Sequence, residues 1–154
     1  MKYAAIPGQV PDNPGEFAVK VPLAVLAEYA NTTADFKLNI MGIFDTIFGK
    51  ELPVIVPSMR LVIQLQANPE EWGRAFTFTI KMIDGDGNEL LPYPLQRQFL
   101  PKDIPLRTHI PQIVELQGVS FERFGPHEFI VLLNDEEKAR IPFSVRPSWT
   151  PSAS

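Results

Sequence analysis

Four stretches of the chain alternate apolar and polar side chains with a period of two, the pattern of an extended strand that buries one face. In Phe36-Lys37-Leu38-Asn39-Ile40 the inward set is Phe36, Leu38 and Ile40, and in Arg60 to Ala67 it is Leu61, Ile63, Leu65 and Ala67. Arg74 to Met82 points Phe76, Phe78, Ile80 and Met82 inward and Thr77, Thr79 and Lys81 outward. Lys138 to Arg146 does the same with Ala139, Ile141, Phe143 and Val145 against Arg140, Ser144 and Arg146. A helix would scatter each of these sets around its axis, and their β-branched and aromatic content favours strands.

Five more runs read as strands: Leu23 to Asn31, Met41 to Phe48, Glu89 to Leu95, Ile110 to Gln117 and Glu128 to Asn134. The last is apolar at nearly every position, as a strand covered on both faces would be. Between the runs stand Asn31-Thr32-Thr33-Ala34-Asp35, Asp84-Gly85-Asp86-Gly87-Asn88 and Asn134-Asp135-Glu136-Glu137, whose residue types and short lengths make antiparallel hairpins. The expected fold is all-β, a two-sheet antiparallel β-sandwich of immunoglobulin-like kind with seven to nine strands. One helical turn is expected on a crossover, capped by Asn68, begun by Pro69, favoured by Glu70 and Glu71 and stopped by Gly73. Pro142 lies inside a clear strand and lacks a ladder donor, which marks that strand as an edge on at least one side.

Periodicity fails at both ends. Residues 1 to 16, with Pro7, Pro11 and Pro14, and residues 147 to 154 read as flexible tails around one domain spanning 17 to 146. A chain of 154 residues, 45% hydrophobic and 21% charged, is long and apolar enough for one self-sufficient core. With no cysteine, disulfide scaffolds, zinc knuckles and thiol nucleophiles are excluded. The apolar start breaks at Pro7 before a signal-peptide core, and no window is long and apolar enough for a membrane span, so the expectation is cytoplasmic with no membrane association. The 14 basic residues are scattered on a chain of net charge -4, so nucleic acid is not an expected partner.

The acidic run Asp84 to Glu89 resembles the first half of a calcium loop. The position that needs glycine is Glu89 and the one that needs a bidentate glutamate is Leu95, so a hairpin tip is the better reading. His109 and His127 lack the spacing of a paired-histidine zinc motif, and no serine sits in a nucleophile elbow. No Walker loop or dinucleotide-type glycine pattern occurs. No catalytic, metal or cofactor-binding residue is therefore assigned, and no cofactor is expected. Tyr29, Trp72, Tyr93 and Trp149 are the aromatic residues that could form a sugar-stacking platform.

Glu28-Tyr29-Ala30-Asn31 followed by Lys37-Leu38-Asn39-Ile40-Met41-Gly42-Ile43-Phe44-Asp45 resembles the opening of an uncharacterised bacterial family of small β-sandwich proteins, a domain of unknown function. The resemblance continues through Pro57-Ser58-Met59-Arg60-Leu61 and Glu70-Glu71-Trp72-Gly73-Arg74 and covers roughly residues 22 to 146. Phe36 stands where a small turn residue is expected. The resemblance implies no activity, but it singles out Tyr29, Asn31, Asn39 and Asp45 as polar residues in an apolar neighbourhood, whose side chains are expected to hydrogen-bond turns and strand ends and are, as the alternative, the candidates for a binding patch. Two functions are compatible with these residues: a protein-interaction or assembly module that meets a partner or itself through an edge strand, or a small-ligand or carbohydrate-binding domain. A hydrolase built from distant residues stands behind the second.

Overall fold

The computed structural model describes residues 19–68, 70, 73–92, 94–100 and 109–148. Among these, nine strands form: β1 (Lys20–Thr32), β2 (Leu38–Phe44), β3 (Thr46–Gly49), β4 (Val54–Gln66), β5 (Phe76–Asp84), β6 (Leu95–Phe99), β7 (His109–Phe121), β8 (Gly125–Leu133) and β9 (Glu136–Pro147). They make two sheets, one ordered β2-β1-β4-β7 and the other β3-β9-β8-β5-β6. The expected alternation builds the core between them. Leu61, Ile63, Leu65 and Ala67 from one sheet meet Phe76, Phe78, Ile80, Met82, Ile141, Phe143 and Val145 from the other, all in one buried cluster. On β8 only alternate residues, from His127 to Leu133, are fully buried, and Ile130 and Leu132 on the outer face are half-buried.

Hairpin chemistry sets the register of β8 and β9. Leu133 and Glu136 are partners across a two-residue loop in which Asn134 and Asp135 both have positive φ, the combination that matches the right-handed twist of paired strands. Asn134 also accepts a bond from the Thr77 backbone N–H through its side chain at 3.0 Å, which ties this turn to the start of β5.

Several elements depart from the sequence pattern. Met41 to Phe48 is not one strand, because the chain crosses between the sheets at Asp45, leaving β2 in the first sheet and β3 in the second. There β3 runs parallel to β9, so the second sheet is mixed and not purely antiparallel. Glu89 to Leu95 does not pair as a strand either. Glu89 makes one bridge to Ile83, after which Pro92 and Pro94, which have no N–H, interrupt the ladder until β6 pairs with β5 from Leu95 on. Phe36 is not inward: it is half exposed and sits in the turn before β2. Thr79, expected to face outward, is buried, and its hydroxyl has no hydrogen-bond partner. Pro69, Glu71 and Trp72 of the expected helical turn lie outside the described residues, as do residues 1–16 of the expected N-terminal tail. Pro147 belongs to β9, and the Ser148 N–H donates to the Gly49 carbonyl at 2.8 Å.

Pro142 shows how far the last strand is an edge. From Ser144 to Pro147, β9 is covered by β3, so this end is interior. The N–H groups of Ser144 and Ser148 point toward β3, donating to Asp45 and Gly49. Position 142, two residues earlier in the same strand, aims its backbone nitrogen to that side, beyond the end of β3, where no ladder bond is lost.

Candidate functional site

The β1–β2 hairpin gathers most of the residues singled out from the sequence. Ala27 and Ala30 are buried in the same small cluster, with Val62, Leu38, Ile40 and Ile113, while Glu28 and Tyr29 between them are exposed. A regular strand places positions i and i+3 on opposite faces, so β1 turns a corner at Glu28–Tyr29. Pairing with β4 stops there, at Ala27 opposite Arg60. Gly42, across from Glu28, takes φ +70, and a side chain there would press on Glu28 at 3.1 Å. Beyond the corner the hairpin leans over the outer face of the first sheet, because Val62 lies between core residues Leu61 and Ile63 and points away from the main core.

One hairpin face thus packs down through Ala30, Leu38 and Ile40, and the other faces outward. Tyr29 pairs with Met41 and Asn31 with Asn39 across the two strands, and the Asn39 amide donates to the Asn31 side-chain oxygen at 3.0 Å. Tyr29, Met41 and Ile43 are 46%, 64% and 62% exposed. The Arg60 guanidinium lies 5.2 Å over the Tyr29 ring, donates to the Glu28 carbonyl and to the Ser58 hydroxyl, and pairs with Glu115 at 3.4 Å. This arrangement fixes Tyr29 by cation–π attraction and covers one face of its ring.

The turn at the hairpin tip is built by Thr33, whose carbonyl accepts from the Phe36 N–H at 2.9 Å and whose hydroxyl accepts from the Lys37 N–H at 2.9 Å. Phe36 has φ 65, a left-handed conformation that favours glycine and strains a bulky side chain. The small residue expected before Lys37 is the one this geometry asks for.

Asp45 stands apart from the other three candidates. It is exposed at the crossover from β2 to β3, its carboxylate accepts from the Thr46 hydroxyl, and its carbonyl accepts from the Ser144 N–H. It lines, with Ala24, Leu26, Ile43, Phe44, Arg140 and Ile141, a cleft of about 470 Å³ between β1–β2 and the part of β9 that β3 does not reach. Met41, Ile43 and Arg60 complete the surface and were not singled out from the sequence. Met41 and Ile43 share the odd positions of β2 with Asn39, so the alternation that named Leu38 and Ile40 as inward also marks them as outward.

The Asp84 loop is a built turn. Asp84 accepts from the backbone N–H groups of Asp86 and Asn88 and from the Asn88 side-chain amide, and Arg123 reaches both Asp84, at 3.3 Å, and Asp86, at 2.8 Å. The Asn88 amide, then the two backbone donors and the Arg123 charge, hold the Asp84 carboxyl below its usual range against the opposing effect of burial. The same pairing with Asp86 and Asp84 raises the Arg123 pKa. An arginine and backbone donors therefore engage these carboxylates, as a hairpin tip requires.

The histidines are far from each other in role. His127 is buried, its Nδ1 lies 2.9 Å from the Gly125 carbonyl, and its ring stacks on Phe143 and meets the edge of Phe121. His109 opens β7 opposite Gln66. Among the described residues no group of three or more histidine, aspartate or glutamate side chains converges for a metal ion, and no helix is long and apolar enough to cross a membrane. Of the four aromatic residues considered for stacking, Trp72, Tyr93 and Trp149 lie outside the described residues.

The strand order now defines the class. The run β9-β8-β5-β6 has the order G-F-C-C′ of an immunoglobulin sandwich, and β4 beside β7 has that of its B–E pair, with β1 added next to β4. The chain belongs to a family of unknown function (DUF6941), whose profile matches residues 22–146. No curated protein matches it. Among solved structures it is similar to a Pseudomonas fluorescens alkylpurine DNA glycosylase, AlkC, bound to DNA containing an abasic site analog. The identity is 16% and the TM-score 0.42, over 83% of this chain and 30% of that one. It is also similar to an immunoglobulin-like protein from Pseudomonas aeruginosa, at 12% identity and TM-score 0.38, over 83% of this chain and 96% of the other. The chain spans less than a third of the glycosylase.

Proposed function

We propose that this domain is a non-catalytic protein-interaction or assembly module whose contact surface is the outward face of the β1–β2 hairpin. The observation that carries the proposal is the joint exposure of Tyr29, Met41 and Ile43 beside the edge of β2, with which no second described strand pairs. Large apolar side chains set together next to open backbone donors and acceptors are what strand-addition partners use. Asn31 and Asn39 add polar contacts to the same face. The test is affinity capture from the native cell with the full chain as bait, compared with Met41→Lys. A partner held by the wild type and lost with Met41→Lys, at unchanged thermal stability, supports the proposal. Equal capture by both chains counts against this surface.

A second reading, small-ligand binding, is favoured by the cleft at Asp45 and Arg140, whose volume of about 470 Å³ falls in the range of ligand pockets. Amide shifts confined to Ala24, Leu26, Arg140 and Ile141 during titration with a library of small polar compounds would favour it over the hairpin surface.

A further inference from the structure

We infer that the partner of the β2 edge is a second copy of this chain, joined antiparallel about a two-fold axis at Met41. The inference rests on the interaction reading above and names its occupant. The Thr33 N–H donates to the Lys37 carbonyl at 2.8 Å, so Thr33 and Lys37 form a hydrogen-bonded pair of the β1–β2 ladder. Hydrogen-bonded pairs alternate along an antiparallel ladder, so Lys37, Asn39, Met41 and Ile43 direct their backbone groups toward β1. Leu38, Ile40, Gly42 and Phe44 direct theirs outward, and none of them is proline.

A two-fold pairing of identical edges is antiparallel. To join outward groups it must set even positions against even positions, which puts the axis on a residue and not between two. The central one of Leu38–Phe44 is Met41, and that choice engages the whole strand. Leu38 then faces Phe44 of the second copy and Ile40 faces Gly42, while Met41 meets Met41 and Asn39 meets Ile43. One step further out, Lys37 faces Asp45 at both ends of the ladder. Lys37, Asn39, Met41, Ile43 and Asp45 are all exposed. Lys37, which pairs with Asp35 of its own chain at 3.0 Å, and Asp45 flank β2 at its two ends, so the two unlike charges meet where the apolar row ends. Tyr29, the strand neighbour of Met41, flanks the row on each side.

Other edges are protected in the ways natural sheets use. The half of β9 that β3 leaves open carries Glu136, Glu137, Lys138, Arg140 and Pro142; β3 is four residues long; β6 carries Arg97 and β7 carries Pro111 and Glu115. In contrast, Leu-Asn-Ile-Met-Gly-Ile-Phe of β2 has neither charge nor proline. With one uncharged open edge per copy among the described strands, the assembly closes as a dimer.

Sedimentation equilibrium of the full chain tests this. The wild type is expected to be a dimer. Met41→Lys places two ammonium groups on the axis and should weaken self-association by more than about tenfold, with the fold retained by circular dichroism. Asp45→Lys and Lys37→Asp should each weaken it several-fold, and the double variant, which restores unlike charges in the inverted order, should return to within about twofold of the wild type. A monomeric wild type, or a dimer indifferent to Met41→Lys, overturns the second copy as occupant. A charge swap with no recovery in the double variant overturns the register. If the wild type is monomeric yet loses a cellular partner with Met41→Lys, the interaction reading stands and only its occupant changes.

Discussion

Phe143→Ala probes the packing that holds the two sheets together. Phe143 is 3% exposed and touches three rings: it stacks on Phe129 with centroids 5.2 Å apart and on His127 at 5.4 Å, and it meets Phe121 edge to face at 5.7 Å. Removing a buried phenylalanine ring costs about 3–5 kcal/mol. Aromatic pairs add about 0.5–1.5 kcal/mol each beyond buried area, so three lost pairs keep this variant from falling below the middle of that range, about 4 kcal/mol. For a chain of this length that lowers the melting temperature by about 8–16 °C. The neighbouring residue supplies the control. Ser144 holds the strand through its backbone N–H to the Asp45 carbonyl, a bond that Ser144→Ala leaves in place, so its loss should stay below about 1 kcal/mol. Urea unfolding followed by circular dichroism gives both values. If Phe143→Ala costs less than about 1.5 kcal/mol, or Ser144→Ala costs as much, the assignment of Phe143 to the centre of the core is wrong.

Three further variants read separate features. The Asp84 carboxyl is held below its ordinary value in the folded chain, so its contribution to stability is fully present above the ordinary carboxylate range and is lost as pH falls through the lower folded value. Asp84→Asn should flatten the acid limb of stability against pH there, and an unchanged limb would refute the role. Thr79→Val removes a buried hydroxyl without a partner and should raise stability by about 1 kcal/mol in urea titration, whereas a loss would mean that the hydroxyl is satisfied in solution. Phe36→Gly relieves a positive φ worth about 1–2 kcal/mol but loosens the unfolded chain, for a net gain of about 0.5–1 kcal/mol by the same assay; a destabilised variant would show that the ring contributes more than its backbone costs.

The core was legible in the sequence because period-two alternation is a local signal: Leu61 to Ala67 and Phe76 to Met82 bury the expected side chains. What alternation cannot carry is the sheet to which a strand belongs. Met41 to Phe48 reads as one apolar run, yet Asp45 divides it between two sheets, and the division is set by which neighbour each half meets, β1 or β9. Phe36 failed for a related reason. Its apolar character fits the strand pattern, while its backbone belongs to the turn, where conformation and not hydrophobicity decides. Of the candidate residues, Tyr29, Asn31 and Asn39 converge on one face because they occupy alternate positions of a paired hairpin, and Asp45 lies beyond the end of β2. Arg60 was invisible as their neighbour, since it approaches Tyr29 from a strand 31 positions later, through the corner at Glu28.

The crossover at Asp45 also explains why the open edge is at β2 and not at β9, where Pro142 first directs attention. Once the chain leaves the first sheet, β3 uses its hydrogen bonds to cover β9 from Ser144 on, and the remainder of β9 is guarded by charge and by the missing donor of Pro142. Among the described residues nothing plays that part for β2, because the residues that follow it have gone to the other sheet. Adding a lysine to the outward positions of β2 would cost the fold little, since these side chains contact solvent. An uncharged strand at that place is therefore not demanded by folding stability, which is why the proposed pairing with another strand is sought there.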